Sequence, residues 1–346
     1  MMNDVPEHAR DLRGYGATPP DPRWPNGARL ALSFVLNYEE GAENSVLEGD
    51  AASEIYLHEV PGGTPRIGER DLSTETQFDY GARAGLWRIL RLFRERGLPL
   101  TVYAVGRALE LNPEAGAAFA AAGHEVASHG WRWIDYRAVP EETERAEIAR
   151  CVAVIERTTG TRPVGWYTGR ISMRTRRLVA GHGGFLYDSD SYADDLPYYV
   201  QVAGKPHLVI PYTLDNNDMK FSVPPGFSAP SGYEQHHRDA FDFLMREGAA
   251  GSAKMMSVGL HCRMVGRPGR AAASRAARVR AVLPSRSHAA VSIWQRARRM
   301  GGLLSGGQAQ DVVGHHRGRE EGRGPEADPV EGAAAHPVGQ VPGAQV

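Results

Sequence analysis

The chain has 346 residues, 42% of them apolar and 23% charged, with a formal net charge of −1. That is room for one large α/β domain or two modest ones, and the near-neutral balance gives no global field to draw in nucleic acid or an anionic membrane. Two cysteines, Cys151 and Cys262, are too few for a disulfide-built secreted scaffold, and the polar N-terminus carries no apolar secretory segment, so the expected compartment is the cytoplasm.

Residues 1–28 hold Gly14, Gly16, Pro19, Pro20, Pro22 and Pro25 and read as an extended arm, either wrapped on a surface or loosely ordered. From Arg29 a strand–helix alternation begins. Residues 29–37 are a nearly continuous apolar run of strand length, the pattern of a strand buried on both faces. A polar, acidic stretch follows to about Gln77, and residues 78–97 then show helical spacing through Leu86, Ile89, Leu90 and Phe93, closing at Gly97. Strand over 99–105, helix over 111–122 and strand over 124–128 come next, and a long helix fits 140–159, with Ile148, Cys151, Val152 and Ile155 on one side. Strand-like pieces recur at 163–168, 184–188, 207–212 and 256–262, with helices at 172–180 and 233–248. Seven strands alternating with helices imply a parallel sheet with helical crossovers, as a (β/α) barrel or an open wound sheet, within residues 29–270.

Residues 271–346 differ in kind. They contain no Lys, Phe, Tyr, Asn or Thr and are dominated by Arg, Ala, Gly, Val and Pro. The stretch reads as a disordered tail or as a GC-rich coding sequence translated out of frame, and no core is expected from 281–346.

In a parallel barrel, chemistry gathers at the carboxyl ends of strands. The first strand delivers Asn37-Tyr38-Glu39-Glu40-Gly41, two carboxylates directly after a buried run. Ser128-His129-Gly130-Trp131-Arg132-Trp133 follows the third strand, and its histidine and two indoles suit the wall of a small-ligand pocket. Gly165-Trp166-Tyr167-Thr168-Gly169-Arg170 sits at the fourth, where Arg170 either aims at a ligand carbonyl or makes a surface ion pair. His261 ends the seventh strand, with Cys262 beside it as a small buried apolar residue. Asp188 and Asn217, in the loops after the fifth and sixth strands, offer hydrogen-bonding groups to an amide-rich ligand.

In this order the motifs resemble the polysaccharide-deacetylase (NodB-like) superfamily, and within it the allantoinase branch considered to work without a metal. The likeness runs over about residues 10–270 and rests on AspLeuArgGlyTyrGly (11–16), AsnTyrGluGluGly (37–41), SerHisGlyTrpArgTrp (128–133), TrpTyrThrGlyArg (166–170), TyrAspSerAsp (187–190), LeuAspAsnAsnAspMet (214–219) and GlyLeuHisCysArg (259–263). It implies a distorted (β/α)7 barrel whose C-terminal part is incomplete, because the family adds a helix and a final strand where the atypical tail stands. It also implies a homo-oligomer and a small cyclic ureide as substrate, allantoin opened to allantoate. In the metal-dependent pattern two aspartates and His-x-x-x-His bind the ion. Here Glu39 and Glu40 replace the aspartates and Trp133 stands at the second histidine, and an indole cannot ligate. No cofactor is therefore expected, with a divalent metal as the alternative. By the same correspondence Glu39 is the general base and His261 the acid, Glu40 and His129 orient water or substrate, and Trp131, Trp133, Tyr167 and Arg170 shape the pocket; Glu40 as base stays open. Two rival readings remain: a metal-dependent carbohydrate N-deacetylase, and an inactive ureide-binding barrel.

Overall fold

A computed structural model of the chain describes residues 10–273 and 288–290. The arm, from Arg10 onward, lies on the barrel's own surface: Tyr15 donates its hydroxyl to Pro197 O (2.6 Å) and Trp24 its indole N–H to Lys254 O (2.8 Å).

The sheet contains β1 (Leu30–Tyr38), β2 (Thr101–Ala104), β3 (Glu125–Ser128), β4 (Gly165–Trp166), β5 (Tyr187–Asp188), β6 (Tyr198–Val202), β7 (Lys205–Val209), β8 (Lys254–His261) and β9 (His288–Ala290). Its order is β6-β7-β5-β4-β3-β2-β1-β8, with β9 beside the start of β1. The seven expected strands all run parallel, from β1 through β5 and then β7 and β8, and the sheet curls with helices against it as a deacetylase-type (β/α) barrel. All nine residues of β1 are buried because β2 and β8 flank it and side chains pack on both faces. Leu30 and Leu36 are wholly enclosed, and each such side chain contributes about 1.5–3 kcal/mol of transfer free energy.

Three expectations shift. The helix expected at 78–97 starts at Leu72, where Asp71 caps Ser73 N and Thr74 N, and passes through a π-turn at Gly81–Gly85 before Leu86–Arg94. Both glycines are places of close approach: a Cβ on Gly81 would collide with the Glu40 carboxylate, and one on Gly85 with the Cys262 carbonyl. The helix expected at 111–122 is two helices, Gly106–Leu111 and Pro113–Ala121, because Asn112 precedes a proline and takes φ −134°, ψ 76°. The antiparallel strand β6 was not expected. It joins β7 through Ala203-Gly204, a two-residue turn with φ of 49° and 73°, and alanine is not a residue that announces such a turn. The long helix Glu141–Thr159 buries Ile148, Cys151, Val152 and Ile155 and ends at left-handed Gly160, as its spacing predicts.

Within the stretch read as an atypical tail, the helix Pro268–Ala273 crosses the expected boundary at 270, and β9 pairs in parallel with Leu30–Leu32. The rest of that stretch lies outside the described residues. Among the described residues no helix is long and apolar enough to cross a membrane.

Candidate active site

Side chains alternate across a strand, so Asn37 and Glu39 share one face of β1 and Tyr38 and Glu40 the other. The inner pair reaches a small, partly open cavity beyond the strand ends. Glu40 instead lies behind the strand, under the π-turn, with Oε2 accepting Glu39 N at 2.9 Å.

Both imidazoles meet at one oxygen of Glu39: His129 Nε2 lies 3.2 Å and His261 Nε2 3.3 Å from Oε1. The other oxygen accepts from Arg263 Nη1 at 2.7 Å. Behind His261, the Asp218 carboxylate accepts from its Nδ1 (2.6 Å), from its backbone N (2.8 Å) and from Val265 N (3.1 Å), which fixes the ring. All five side chains are buried.

Burial alone would raise the Glu39 carboxyl and lower the His261 imidazole, but each stabilises the other's charged form. The charges of His261 and Arg263, with hydrogen bonds from both imidazoles, hold Glu39 well below the usual carboxylate range. Glu39 and Asp218 raise His261 to about 9. The site at neutral pH therefore holds a carboxylate against an imidazolium, an ionised base beside a loaded acid. Glu40 goes the other way: burial, opposed by Arg263 and helped by the Glu39 charge, brings it up to about 7. Glu43, nearby and also buried, rises to about 8.

Tyr56, Trp133, Tyr167, Arg170, Tyr192 and Asn217 complete the walls. Trp133 stacks on Tyr56 (5.7 Å between ring centres), and Tyr167 stacks on Tyr103 (4.8 Å) while its hydroxyl meets that of Tyr192 at 3.0 Å. Arg170 donates to Glu54 (2.9 Å) and to Trp133 O (3.0 Å), so it lines the cavity and also clamps the Tyr56 segment over it. Asn217 binds the Tyr212 hydroxyl (3.1 Å) and lies against Gly259, where a Cβ would collide with both.

Seven of the ten residues singled out from the sequence thus line one cavity: Glu39, His129, His261, Trp133, Tyr167, Arg170 and Asn217. Three do not. Glu40 faces the helical layer. Trp131 turns away after left-handed Gly130 and packs on Gly106, with the Arg150 guanidinium 3.7 Å above its ring. Asp188 is enclosed by Arg176 (2.7 Å) and His207 (2.8 Å). Arg263, Asp218, Tyr56 and Tyr192 went unselected. Arg263 stands two residues past His261, in the turn that closes with Met264 N on His261 O (3.1 Å), and no strand pattern reaches it. Asp218 had no legible signal, because its loop is rich in such residues. Both cysteines are free and buried.

Among the described residues no group of three or more His, Cys, Asp or Glu side chains is disposed to hold a metal ion. The sequence profile of the polysaccharide deacetylases matches residues 72–183. A Schizosaccharomyces pombe protein classed with the polysaccharide deacetylases is 45% identical over 281 residues, 75% of this chain and 87% of its own length. The crystal structure of a Pseudomonas aeruginosa PAO1 protein classed in the same way is 51% identical, covering 84% of this chain and 96% of that one with a TM-score of 0.80. The crystal structure of PuuE allantoinase is 49% identical, with the same coverage of 84% and 96% and the same TM-score of 0.80.

Proposed function

The chain belongs to the polysaccharide deacetylase family of hydrolases, and on that premise we propose that it opens a small cyclic ureide, allantoin to allantoate, without a resident metal. The observation that carries the reading is the pairing of ionised Glu39 with protonated His261 on the floor of an aromatic-walled cavity. The similarity to PuuE allantoinase over 84% of the chain supports the substrate.

The residues do not fit a permanent divalent ion. Catalytic zinc normally takes three protein ligands. Trp133 offers only an indole N–H, and Glu39 is already engaged by a guanidinium and two imidazoles. A metal would lower the pKa of water and hold the oxyanion. The ring nitrogen expelled from allantoin lies between two carbonyls, which delocalise its developing charge, so this leaving group needs less help than a sugar amine.

In the proposed step water adds across the scissile carbon–nitrogen bond. Its oxygen bonds to the ring carbonyl carbon as Glu39 takes one proton, and the nitrogen departs with the proton of His261 Nε2. Glu39 then returns its proton to His261, and the new carboxylic acid ionises. His129 holds Glu39 Oε1 in place, while Trp133, Tyr167 and Arg170 confine the planar ring. Each proton transfer of this kind contributes about 10²–10⁴-fold.

The names of the yeast and Pseudomonas relatives favour a second reading, N-deacetylation of a glycan. Chelator-treated protein assayed in parallel on allantoin and on N-acetylated oligosaccharides separates the two. Allantoate formation at a metal content far below one per chain is expected; acetate release that returns only with added metal would discard the proposal.

A further inference from the structure

We propose that Arg263 is a positioning residue whose guanidinium stands in the charge position a resident cation would take, holding Glu39 for its work as base. This rests on the reading of Glu39 above, although the zinc measurement below does not.

Arg263 is the largest fully buried side chain of the described protein, 2% exposed. A surface arginine swings freely and is worth little, but a buried one must be held by its surroundings. Phe78 and Trp133 supply that hold, with ring centres 4.2 and 4.9 Å from the guanidinium carbon. Its polar commitment is narrow: Nη1 lies 2.7 Å from Glu39 Oε2 and 4.0 Å from Glu40 Oε1, whereas Nε and Nη2 find no protein partner. An arginine present only to staple the fold would spread its five donors over carbonyls and carboxylates, as Arg132 does with Ala42 O, Glu43 O and Asp50. Arg263 instead faces the two adjacent carboxyl groups at the end of β1.

The geometry divides labour over one carboxylate. Oε2 is taken by Arg263, which leaves Oε1 between the imidazoles as the oxygen that meets water. The same indole that replaces a histidine ligand also forms one wall of the arginine's slot. Loss of a ligand and gain of a fixed cation therefore occur in one place, and a second cation entering between Glu39 and Glu40 would meet a guanidinium already there.

The test compares the parent with Arg263→Met and Arg263→Lys, each checked for a parental melting profile. With allantoin, Arg263→Met is expected to lose about 10²–10³-fold in kcat with KM changed less than about threefold, since an oriented base acts in the transition state rather than in binding. Millimolar guanidinium should restore at least about tenfold of that loss by refilling the slot, and Lys should retain an intermediate kcat. Calorimetric titration with zinc should give binding to Arg263→Met at least about 100-fold tighter than to the parent, because the carboxylates and imidazoles lose their competing cation. A folded Arg263→Met with parental kcat, or a loss that guanidinium leaves untouched, overturns the proposal. If the parent does not open allantoin, the function above fails, and the zinc titration alone decides: equal affinities in parent and Arg263→Met overturn the assignment, and the tighter variant upholds it.

Discussion

Two buried clusters in this barrel use nearly the same parts and do different things. At the ends of β1 and β8, Glu39 meets Arg263, His129 and His261; at the end of β5, Asp188 meets Arg176 and His207, with Asp190 beside them. Each has a carboxylate held down by cations and a neighbour pushed up, Glu40 and Asp190 both to about 7. The difference lies in access and in saturation. Both Asp188 oxygens are engaged, and Asp190 Oδ1 accepts Thr168 N (2.9 Å) and Gly169 N (2.7 Å), so that cluster ties β5 to the Tyr167–Arg170 segment, and none of its four side chains lines the cavity beside Glu39. The β1/β8 cluster opens on the cavity through Glu39, His129 and His261 and leaves His129 Nδ1 there without a hydrogen-bond partner, while Glu40 Oε1 and two Arg263 nitrogens behind it are likewise unbonded. Perturbed titration identifies both clusters; unspent hydrogen-bonding capacity beside an opening identifies only one as a site for chemistry.

The sharpest way to break that contrast is to neutralise the two carboxylates in turn. Glu39→Gln keeps size but removes the base, and turnover is expected to fall by about 10³-fold or more. Asp188→Asn should instead lower stability by about 3 kcal/mol, the cost of leaving Arg176 partly unpaired in the interior, with kcat/KM within about threefold of the parent. Steady-state kinetics and thermal melts on the same two proteins decide it. A catalytic loss in Asp188→Asn as large as that in Glu39→Gln would erase the distinction.

The next effect concerns the acid. The His261 imidazole is raised to about 9, so kcat/KM is expected to stay level through neutrality and to fall as pH rises through about 9, where the acid is lost. The sign follows for stability as well: a raised folded value means His261 contributes fully below 6.5 and that contribution is lost as pH rises through about 9. Asp218→Asn removes one of the two carboxylates that raise the ring, so the alkaline limb should move to lower pH and kcat should drop by about 10²-fold. A limb that stays in place in Asp218→Asn excludes His261 as its origin.

The two tryptophans repeat the contrast at smaller scale, and they also show what the sequence can and cannot carry. Glu39, His129 and His261 were legible because a buried apolar strand that ends in a polar residue has to deliver it at the barrel mouth. Seven parallel strands were legible for the same reason, from their runs and spacing. Trp131 and Trp133 were read alike, as two indoles following a histidine and a glycine off one strand end into one pocket wall. That reasoning holds on a strand and fails past Gly130, whose left-handed φ of 77° ends the strand geometry. Likewise β6 hid behind a turn without its usual asparagine or glycine pair, and Asp188 is drawn out of the site by Arg176 and by His207, the latter on β7, a contact no local pattern encodes. Trp133→Phe should therefore raise KM by about 3–10-fold through lost ring contact, whereas Trp131→Phe should leave KM unchanged and lower stability by about 1 kcal/mol. Equal changes in KM would return Trp131 to the cavity wall.

The smallest effect belongs to the β5 side alone. Ala203 adopts a φ of 49° in the turn between β6 and β7, and β7 carries His207 of the Asp188 cluster. A left-handed conformation costs a residue with a Cβ about 1–2 kcal/mol, and glycine avoids that cost but gives up about 0.5–1 kcal/mol through its freer unfolded chain. Ala203→Gly should then gain about 0.5 kcal/mol, just under about 1 °C in the melting midpoint of a chain of this size. Because the hairpin touches neither Glu39 nor His261, kcat and KM should be those of the parent. A variant that melts higher and turns over differently would mean that the β5 cluster and the catalytic cluster are coupled through the sheet, and the separation between them would have to be given up.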